Sequence, residues 1–469
     1  MTITPSSPPA RAATPSSVAL IGVAAFSCLV VALQQTLVVP AVPRLPAVLG
    51  ETPGAVSWLV TATLLSGAVA TPIIARLSDM FGRRRLMVVA MLAVLLGSVV
   101  APLGGLPMLI LGRALQGLGT AVVPVAMAQM RDSLPPERTS TALAVLSAVL
   151  GVGGGVGIPL GGLIVTHLDW TWLFWVSALL SVASLVAIAL VIPHHRPDRA
   201  ERFDLTGAVL LSVGLLALLT AVSQGNAWGW TSVATLGFGV VGLFVLVGWG
   251  AVELRTVDPL VDLRATAATP VLLTNVASLL LGVLMFANLL LTTLQLQNPV
   301  SQDGFGWSAS AAGLAMLPNA AAMLVVAPLT AWMSHRWGPR WILAVGALVT
   351  AAGYLGRMLV STDPTAAIVW ATVVGFGVGI GYSALPMLIV AHAEARHIGA
   401  ANGVNALVRA IGTALASAGV SALAALLAVE AGGRTVPGPA AFTVVGTLAV
   451  AFALGVFAAA AGIRQRTHP

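Results

Sequence analysis

The chain has 469 residues, of which 58% are hydrophobic and only 8% are charged. Soluble domains carry about 25% charged residues, so this composition excludes an ordinary water-soluble protein. All 22 basic residues are arginine, against 15 acidic residues, which gives a formal net charge of +7.

Apolar stretches of about 20 residues, the length of a helix that crosses a bilayer core, recur from Val18 almost to the end of the chain. The loops between them hold nearly all of the charge, and the alternating pattern of a membrane β-barrel is absent. We therefore predict an all-α polytopic membrane protein with fourteen transmembrane helices. The predicted spans are 18–41, 54–77, 86–104, 106–129, 139–166, 171–192, 205–223, 231–251, 270–295, 309–333, 341–360, 365–390, 399–429 and 438–462.

Residues 1–17 are rich in Pro, Ser and Thr, which predicts a flexible cytoplasmic tail. The first span is too long for a signal-peptide core and no convincing cleavage site follows it, so we expect it to be retained. Cys28 is the only cysteine. It excludes an internal disulfide, and its apolar surroundings favour a packing role.

The arginines are distributed unevenly between the two sides of the membrane. If the N-terminus is cytoplasmic, seventeen arginines lie in loops on that side, and only Arg44 and Arg434 lie opposite. Cytoplasmic loops are enriched in basic residues, so we expect both termini in the cytoplasm. The arginines are dispersed among loops and no DNA-binding fold flanks the spans, so the charge does not indicate a nucleic-acid partner.

The chain has no lysine, which a Walker A loop and Schiff-base chemistry both need. The glycine-rich stretches 151–157 and 375–381 lack the G-x-G-x-x-G pattern and favour close helix packing. The stretch HAEARH (392–397) has no further ligands for a metal. We therefore expect no cofactor and no metal, and energy from an ion gradient unless a separate subunit supplies it.

The chain repeats itself, because residues 72–86 align with 328–342 at a constant offset of 256 and residues 117–124 echo 379–386. Parallel repeats of this kind are a transporter plan, with the substrate between the halves near mid-membrane. The expected division is a cytoplasmic tail at 1–17, an N-terminal six-helix bundle at 18–192, a linker with two extra transmembrane helices at 193–269, a C-terminal six-helix bundle at 270–462 and a cytoplasmic tail at 463–469.

Six short stretches resemble the motifs of one transporter family. They are ARLSDMFGRRR (75–85), RALQGLGTA (113–121), GGGVGIPLGG (153–162), FDLTG (203–207), WGW (228–230) and DPLVDLR (258–264). The first resembles the signature loop, the second the fourth-helix motif and the third the fifth-helix antiporter motif of the major facilitator superfamily. The last three resemble the surroundings of the two added helices in the fourteen-helix drug:proton antiporters of that superfamily. The resemblance covers residues 18–462. It implies a monomeric transporter in the bacterial inner membrane that exports drugs, antibiotics or amphipathic metabolites by alternating access, with protons as the coupling ion.

Two positions depart from the family pattern. The first helix of the family usually ends in Leu-Asp-x-Thr, and this chain has Gln34 in place of the Asp. In the fifth-helix motif Pro159 stands one place later than the usual Gly-Pro pair. We expect the helix to bend or pack closely at this motif, which comprises Gly157, Pro159, Gly161 and Gly162.

The resemblance also implies a conformational latch. In the family, the acid at Asp79 docks on the N-terminal end of the thirteenth span, near Gly399, where free N–H groups and the helix dipole favour an anion. The alternative is an ordinary positive-inside loop with one incidental acid. The candidate latch residues are Asp79, Gly82, Arg83, Arg84 and Asp132.

Two arginines, Arg113 and Arg409, lie inside apolar spans, where a charge costs at least ~2.5 kcal/mol and needs polar company. Arg357 lies closer to a span end, and we expect it to reach the interface or to meet Asp363. The candidate cavity and coupling residues are Gln34, Gln35, Arg113, Gln116, Asn405 and Arg409, with Phe286, Met127 and Tyr382 as pocket-lining candidates.

All fifteen acidic residues lie in loops or at span ends. A cationic drug in mid-membrane normally needs a carboxylate, so neutral or anionic amphiphiles are the favoured substrates. The alternative is a proton-independent or uptake transporter of organic anions or neutral amphiphiles. A membrane-embedded enzyme would need His, Asp or Glu groups that converge within the spans, and no feature favours a sensor.

Overall fold

The computed structural model describes residues 16–42, 44–193, 203–361, 363–393, 398–431 and 434–463. The predicted tails at 1–17 and 463–469 lie outside these residues except for their innermost positions. The α-helices are α1 (Ser17–Leu37), α2 (Leu45–Leu49), α3 (Pro53–Phe81), α4 (Arg83–Val100), α5 (Leu106–Gly117), α6 (Val122–Ser133), α7 (Pro136–His167), α8 (Trp172–Val191), α9 (Leu205–Trp228), α10 (Val233–Glu253), α11 (Leu263–Ala267), α12 (Thr269–Gln297), α13 (Ala309–Leu314), α14 (Leu317–Trp337), α15 (Pro339–Val360), α16 (Pro364–His392), α17 (Ile398–Leu426) and α18 (Pro439–Gly462).

Polar residues set the starts of many spans. The side-chain oxygens of five N-cap residues accept a hydrogen bond from the N–H three residues on, which satisfies one of the free donors at a helix start. These caps are Ser16, Thr52, Asp204, Ser232 and Asp363. Prolines inside α3, α7 and α16 do not end those helices, because neighbouring groups in a membrane bundle compensate for the lost hydrogen bond.

The same helix pairs recur in both halves of the chain. In the first half α1 packs on α7 and α4 packs on α8; in the second half α12 packs on α17 and α15 packs on α18. The prediction of an all-α membrane protein with two six-helix bundles and two extra helices is therefore confirmed.

The two copies of the signature loop share one backbone geometry. Gly82 joins α3 to α4 with φ of 96°, and Gly338 joins α14 to α15 with φ of 77°. Residues with a Cβ rarely adopt this conformation, so a glycine is required at the same place in both turns. Below, the end of the bundle at which α3 meets α4 is called the arginine-rich end.

An arginine beside each of these turns makes the same contact in both halves. Arg84 donates from Nη2 to the Ala189 carbonyl of α8 (2.6 Å), and Arg340 donates from Nη2 to the Ala461 carbonyl of α18 (2.9 Å). The accepting carbonyls lie in the last turns of their helices, where the helix dipole favours a cation. The third membrane helix of each half is thereby tied to the sixth.

Within the described ranges, thirteen helices are long and apolar enough to cross a membrane. The predicted span 309–333 is built from two helices, α13 and α14, which are separated at residues 315–316. Pro318 lies in the first turn of α14. Because proline has no N–H, it cannot bond back to the preceding turn, and the helix restarts there.

A short antiparallel ribbon was not predicted. The predicted span 399–429 ends early, because α17 stops at Leu426, and strands β1 (Ala428–Ala431) and β2 (Arg434–Pro437) follow. Asn298 donates from Nδ2 to the Pro437 carbonyl (2.8 Å), which ties the ribbon to the end of α12.

The two halves meet along two seams. On one seam, a Cβ placed on Gly155 of α7 would lie 2.3 Å from the Cβ of Ala320 in α14. On the other, a Cβ on Gly403 of α17 would lie 3.1 Å from the Cβ of Ala75 in α3. Ala75 lies near the end of α3, so the second seam closes the arginine-rich end of the bundle.

The two extra helices attach to the outside of the second seam. α9 packs against both α3 and α17, and α10 packs on α9. The outer face of α10 carries exposed apolar side chains, including Val240, Phe244 and Val247. In a membrane protein such a face contacts lipid.

Candidate functional site

Arg113 is the centre of a buried polar cluster inside the N-terminal half. It is 1% exposed. Its Nη1 donates to the Gln34 carbonyl (3.1 Å) and to Oε1 of Gln116 (2.9 Å), and its Nε donates to the Leu59 carbonyl (3.3 Å). All of these partners are neutral. The cation is therefore stabilised by amide oxygens and not by a carboxylate.

The two glutamines extend this cluster to four helices. Gln116 donates from Nε2 to the Ser98 hydroxyl of α4 (2.9 Å), and Gln34 donates from Nε2 to the Gln116 carbonyl (2.9 Å). Oε1 of Gln34 is buried and accepts no hydrogen bond from the described residues. Gln35 is only half-buried and stays outside the cluster. Gln34, Arg113 and Gln116 are thus brought together, whereas Gln35 is not.

The other two cavity candidates belong to α17. Asn405 donates from Nδ2 to Oδ1 of Asn275 (3.0 Å), and Ser278 donates to the Asn405 carbonyl (3.0 Å). The guanidinium carbon of Arg409 lies 5.3 Å from the centre of the Tyr382 ring. An arginine over an aromatic face is stabilised by the ring quadrupole, which gives this cation a partner without a carboxylate.

The expectation for Arg357 was wrong. Its side chain is 7% exposed and donates to the Thr292 hydroxyl (2.7 Å) and to Oε1 of Gln295 (2.7 Å), both in α12. Asp363 instead accepts from the Ala366 N–H (3.0 Å) as the N-cap of α16. The sequence gives no signal for this pairing, because the partners lie about 65 residues away on another helix.

The latch candidates form a small charged network at the arginine-rich end. Arg83 makes ion pairs with Asp79 (3.4 Å) and with Asp132, and it also donates to the Ala128 carbonyl of α6. The Asp79 side chain is 10% exposed, and its Oδ2 accepts no hydrogen bond from the described residues. Arg84 points elsewhere, to α8.

The expected contact site of Asp79, the N-terminal end of α17, borders residues that the structure does not describe. α17 begins at Ile398, and residues 394–397 before it are outside the described residues. Ala75 lies one helical turn before Asp79 on α3, and the Gly403 position of α17 packs against it. The contact of Asp79 near Gly399 therefore remains a prediction.

The glycine motif of α7 lies against α1. A Cβ on Gly157 would lie 2.0 Å from the Thr36 hydroxyl, and one on Gly161 would lie 2.1 Å from the Leu37 carbonyl. Gly162 has nothing within 4 Å, and Pro159 lies inside an unbroken helix. Two of the four motif residues thus allow close approach of the helix backbones.

Thioethers line the seam between α7 and the C-terminal half. Met323 lies against the Gly151 position, and Met285 lies 3.5 Å from the Gly154 position. The pocket candidates Met127 and Tyr382 are buried, and Phe286 is half-buried. Flexible, polarisable Met side chains adapt to varied shapes. Met285 and Met323 were missed because a single Met in an apolar span has no distinguishing pattern.

Comparisons with known proteins agree with this architecture. A model of the Major Facilitator Superfamily matches residues 24–417, with a further match at 272–467. The tetracenomycin C resistance and export protein of Streptomyces glaucescens is 30% identical over 413 residues, which are 87% of this chain and 75% of that protein. A multidrug resistance protein B homolog of Mycobacterium tuberculosis is 31% identical over 351 residues, or 72% of this chain and 63% of that protein.

The same fold occurs among solved structures. The crystal structure of the human organic anion transporter MFSD10 (TETRAN) has a TM-score of 0.64 and 16% identity, covering 94% of this chain and 100% of that one. At this identity the likeness shows the fold alone. Because the family match spans most of the chain and the two halves repeat one architecture, the chain is a multi-pass membrane transporter that belongs to the major facilitator superfamily.

Proposed function

We propose that this transporter exports neutral or anionic amphipathic molecules, antibiotics among them, by alternating access coupled to the proton gradient. The proposed substrate class rests on one observation: no carboxylate lies at mid-membrane among the described residues. Two arginines do lie there, of which Arg113 is buried and Arg409 is half-buried. The relatives named for tetracenomycin C export and for multidrug resistance support the direction. The arginine asymmetry supports cytoplasmic termini, and the bacterial relatives support the inner membrane. The family resemblance implies that the transporter acts as a monomer.

The substrate class is tested by transport in proteoliposomes. We expect an uncharged or anionic amphiphile to be exported and a lipophilic cationic dye to be transported at least roughly tenfold more slowly, the factor that about 1.4 kcal/mol of missing carboxylate attraction produces. Cells that lack their main pumps should gain resistance to the uncharged compound when the chain is expressed. Strong export of the dye, driven by a pH gradient, would contradict the proposal.

The latch has a direct test in Asp79→Asn. This change removes the charge but keeps the size of the side chain, so we expect nearly normal expression. Loss of about 1 to 2 kcal/mol of anion–helix attraction would shift the balance of states five- to thirtyfold and slow transport. The matched control is Glu137→Gln, an exposed acid at the same end of the bundle. Equal transport rates for Asp79→Asn and the control in proteoliposomes would contradict the latch hypothesis.

A second candidate function, uptake of organic anions, rests on Arg409. This arginine is half-buried on the Tyr382 ring and has a cationic face for an anionic substrate. Arg113 is less suited to this purpose, because neutral oxygens already accept from three of its five N–H donors. The direction of transport in oriented vesicles separates uptake from export.

A further inference from the structure

Two carboxyl groups meet face to face between the extra helices. Asp204 is the N-cap of α9, and Glu253 is the last residue of α10. A Cβ placed on Gly207 would lie 2.2 Å from Oδ2 of Asp204 and 2.5 Å from Oε2 of Glu253. The two oxygens therefore converge on one point, and the carboxyls lie within hydrogen-bonding reach of each other.

Neither of these facing oxygens has a donor among the described residues. Both Oδ2 of Asp204 and Oε2 of Glu253 are buried and accept no hydrogen bond from the described residues. The indole N–H of Trp249 lies near the same carboxyl without completing a hydrogen bond. Two acceptors that face each other in a buried place need a hydrogen atom between them.

The opposite oxygens hold each carboxyl in place. Oδ1 of Asp204 accepts from the Gly207 N–H (2.8 Å), and Oε1 of Glu253 accepts from the Val261 N–H (2.5 Å). Glu253 is 2% exposed. Because each group is anchored through one oxygen, neither carboxyl can turn away from its partner without losing a backbone hydrogen bond.

Such an arrangement favours a proton over a metal ion. Two carboxylates whose oxygens face each other repel, and one shared proton converts this repulsion into an O–H···O bond. Calcium takes six to eight oxygen ligands and magnesium a full octahedron, whereas two oxygens converge here. No group of three or more metal-ligating residues occurs within the described ranges.

Few charged groups surround the pair within the part of the chain that the structure describes. In the described part of the chain, Asp204 is the charged group that acts on Glu253. Arg264 donates to the carbonyl of Leu254, the residue after Glu253 (2.9 Å). The other charged side chains on the elements packed against it are Arg76 and Asp79 in α3, Arg409 in α17, and Arg255, Asp258 and Asp262 in the segment that follows α10.

Glu253 also holds a buried segment at the seam between the halves through a hydrogen bond. Val261, held by Glu253, and its neighbour Leu260 are buried in one apolar cluster with Leu65 of α3 and Leu407 of α17. α3 and α17 are the helices that close the arginine-rich end. The segment after α10 then leads through α11 into α12, the first helix of the C-terminal half.

We propose that Asp204 and Glu253 share one proton and form a proton-binding site beside the seam between α3 and α17. Its consequence for transport rests on the proposed function: loss of the proton places two negative charges together, and their repulsion pushes Glu253 and the Val261 segment bonded to it away from α9, which favours opening of the seam. The site lies outside the Arg113 cluster, so it supplies a titrating group that the first helix lacks.

The proton itself is tested without transport, by infrared spectroscopy of the protein in lipid. We expect a protonated-carboxyl band that shifts in heavy water and disappears as the pH is raised. Glu253→Gln and Asp204→Asn should each remove the whole band, because the two residues hold one proton between them. Gln keeps the acceptor for Val261, and Asn keeps the N-cap of α9. Asp258→Asn, an exposed acid in the same segment, is the matched control and should keep the band.

Three results would overturn the proposal. The first is a protonated-carboxyl band that both variants leave intact. The second is band losses of the two single variants that add up in the double variant, as for two independent protons. The third is a pH titration of the band that shifts when sodium replaces choline at constant ionic strength. If Asp204→Asn does not yield monodisperse protein, Asp204→Ser removes the carboxyl and keeps a capping oxygen.

Transport is then measured separately. We expect both variants to abolish the dependence of the export rate on pH at the arginine-rich side, while Asp258→Asn retains it. An intact band together with no transport of any amphiphile would leave the proton site standing and refute the proposed function. Loss of the band with an unchanged pH profile would refute the role of the site in transport.

Discussion

Replacing Arg113 with alanine is expected to abolish transport and to lower the free energy of unfolding by about 2 to 5 kcal/mol. The side chain is 1% exposed and gives hydrogen bonds to Gln34, Leu59 and Gln116 on three helices. Its removal leaves buried oxygens without donors and a cavity among them. The measurement is the midpoint temperature of unfolding in detergent, followed as loss of monodisperse protein.

Two further variants make the Arg113 test specific. Arg113→Lys keeps the charge but lacks the planar fork of donors, so it should recover only part of the stability. Arg255→Ala removes an exposed arginine at the end of α10 and should change the midpoint little. An Arg113→Ala protein as stable as the Arg255→Ala control would show that the cluster does not hold the N-terminal half together.

A single methyl group at Gly161 is expected to destabilise the protein by about 1 to 3 kcal/mol, the usual effect of overpacking. The added Cβ would lie 2.1 Å from the Leu37 carbonyl and 3.3 Å from Cδ of Pro40. A backbone carbonyl cannot rotate aside as a side chain does, so α1 and α7 must move apart. We expect lower yield and a lower unfolding midpoint for Gly161→Ala.

The neighbouring residue is the control. Nothing lies within 4 Å of the Gly162 position, so Gly162→Ala meets no neighbour and restricts the unfolded chain. A glycine inside a helix is less stable than alanine by roughly 0.5 to 1 kcal/mol, so this variant should unfold at the same or a higher temperature. Equal midpoints for the two alanine variants would show that α7 does not pack on α1 as described.

Features that depend on residues adjacent in the chain could be predicted from the sequence. Span positions follow from apolar length, and the repeated loop correctly pairs Gly82 with Gly338, which adopt the same unusual backbone conformation. The break before α14 also had a local signal in Pro318, although a uniformly apolar run obscured it. The ribbon after α17 also had a local signal in the sequence, since a Gly-Gly pair between two short strand-like runs is typical of a hairpin.

Features that depend on which helices touch could not be predicted. The acceptors of Arg113 include backbone carbonyls at Gln34 and Leu59, and every residue in every helix has such a carbonyl. Asp204 and Glu253 were correctly placed at span ends, but they are 49 positions apart in the chain. Only the packing of α9 on α10 brings these two acids together.

The matching contacts of Arg84 and Arg340 bear on how the chain arose. Duplication of one ancestral segment would leave the same contact in both copies if that segment already had an arginine that fastened its third helix to its sixth. The acid at Asp79 has no such counterpart, because His335 stands in its place, so this position diverged after the copies separated.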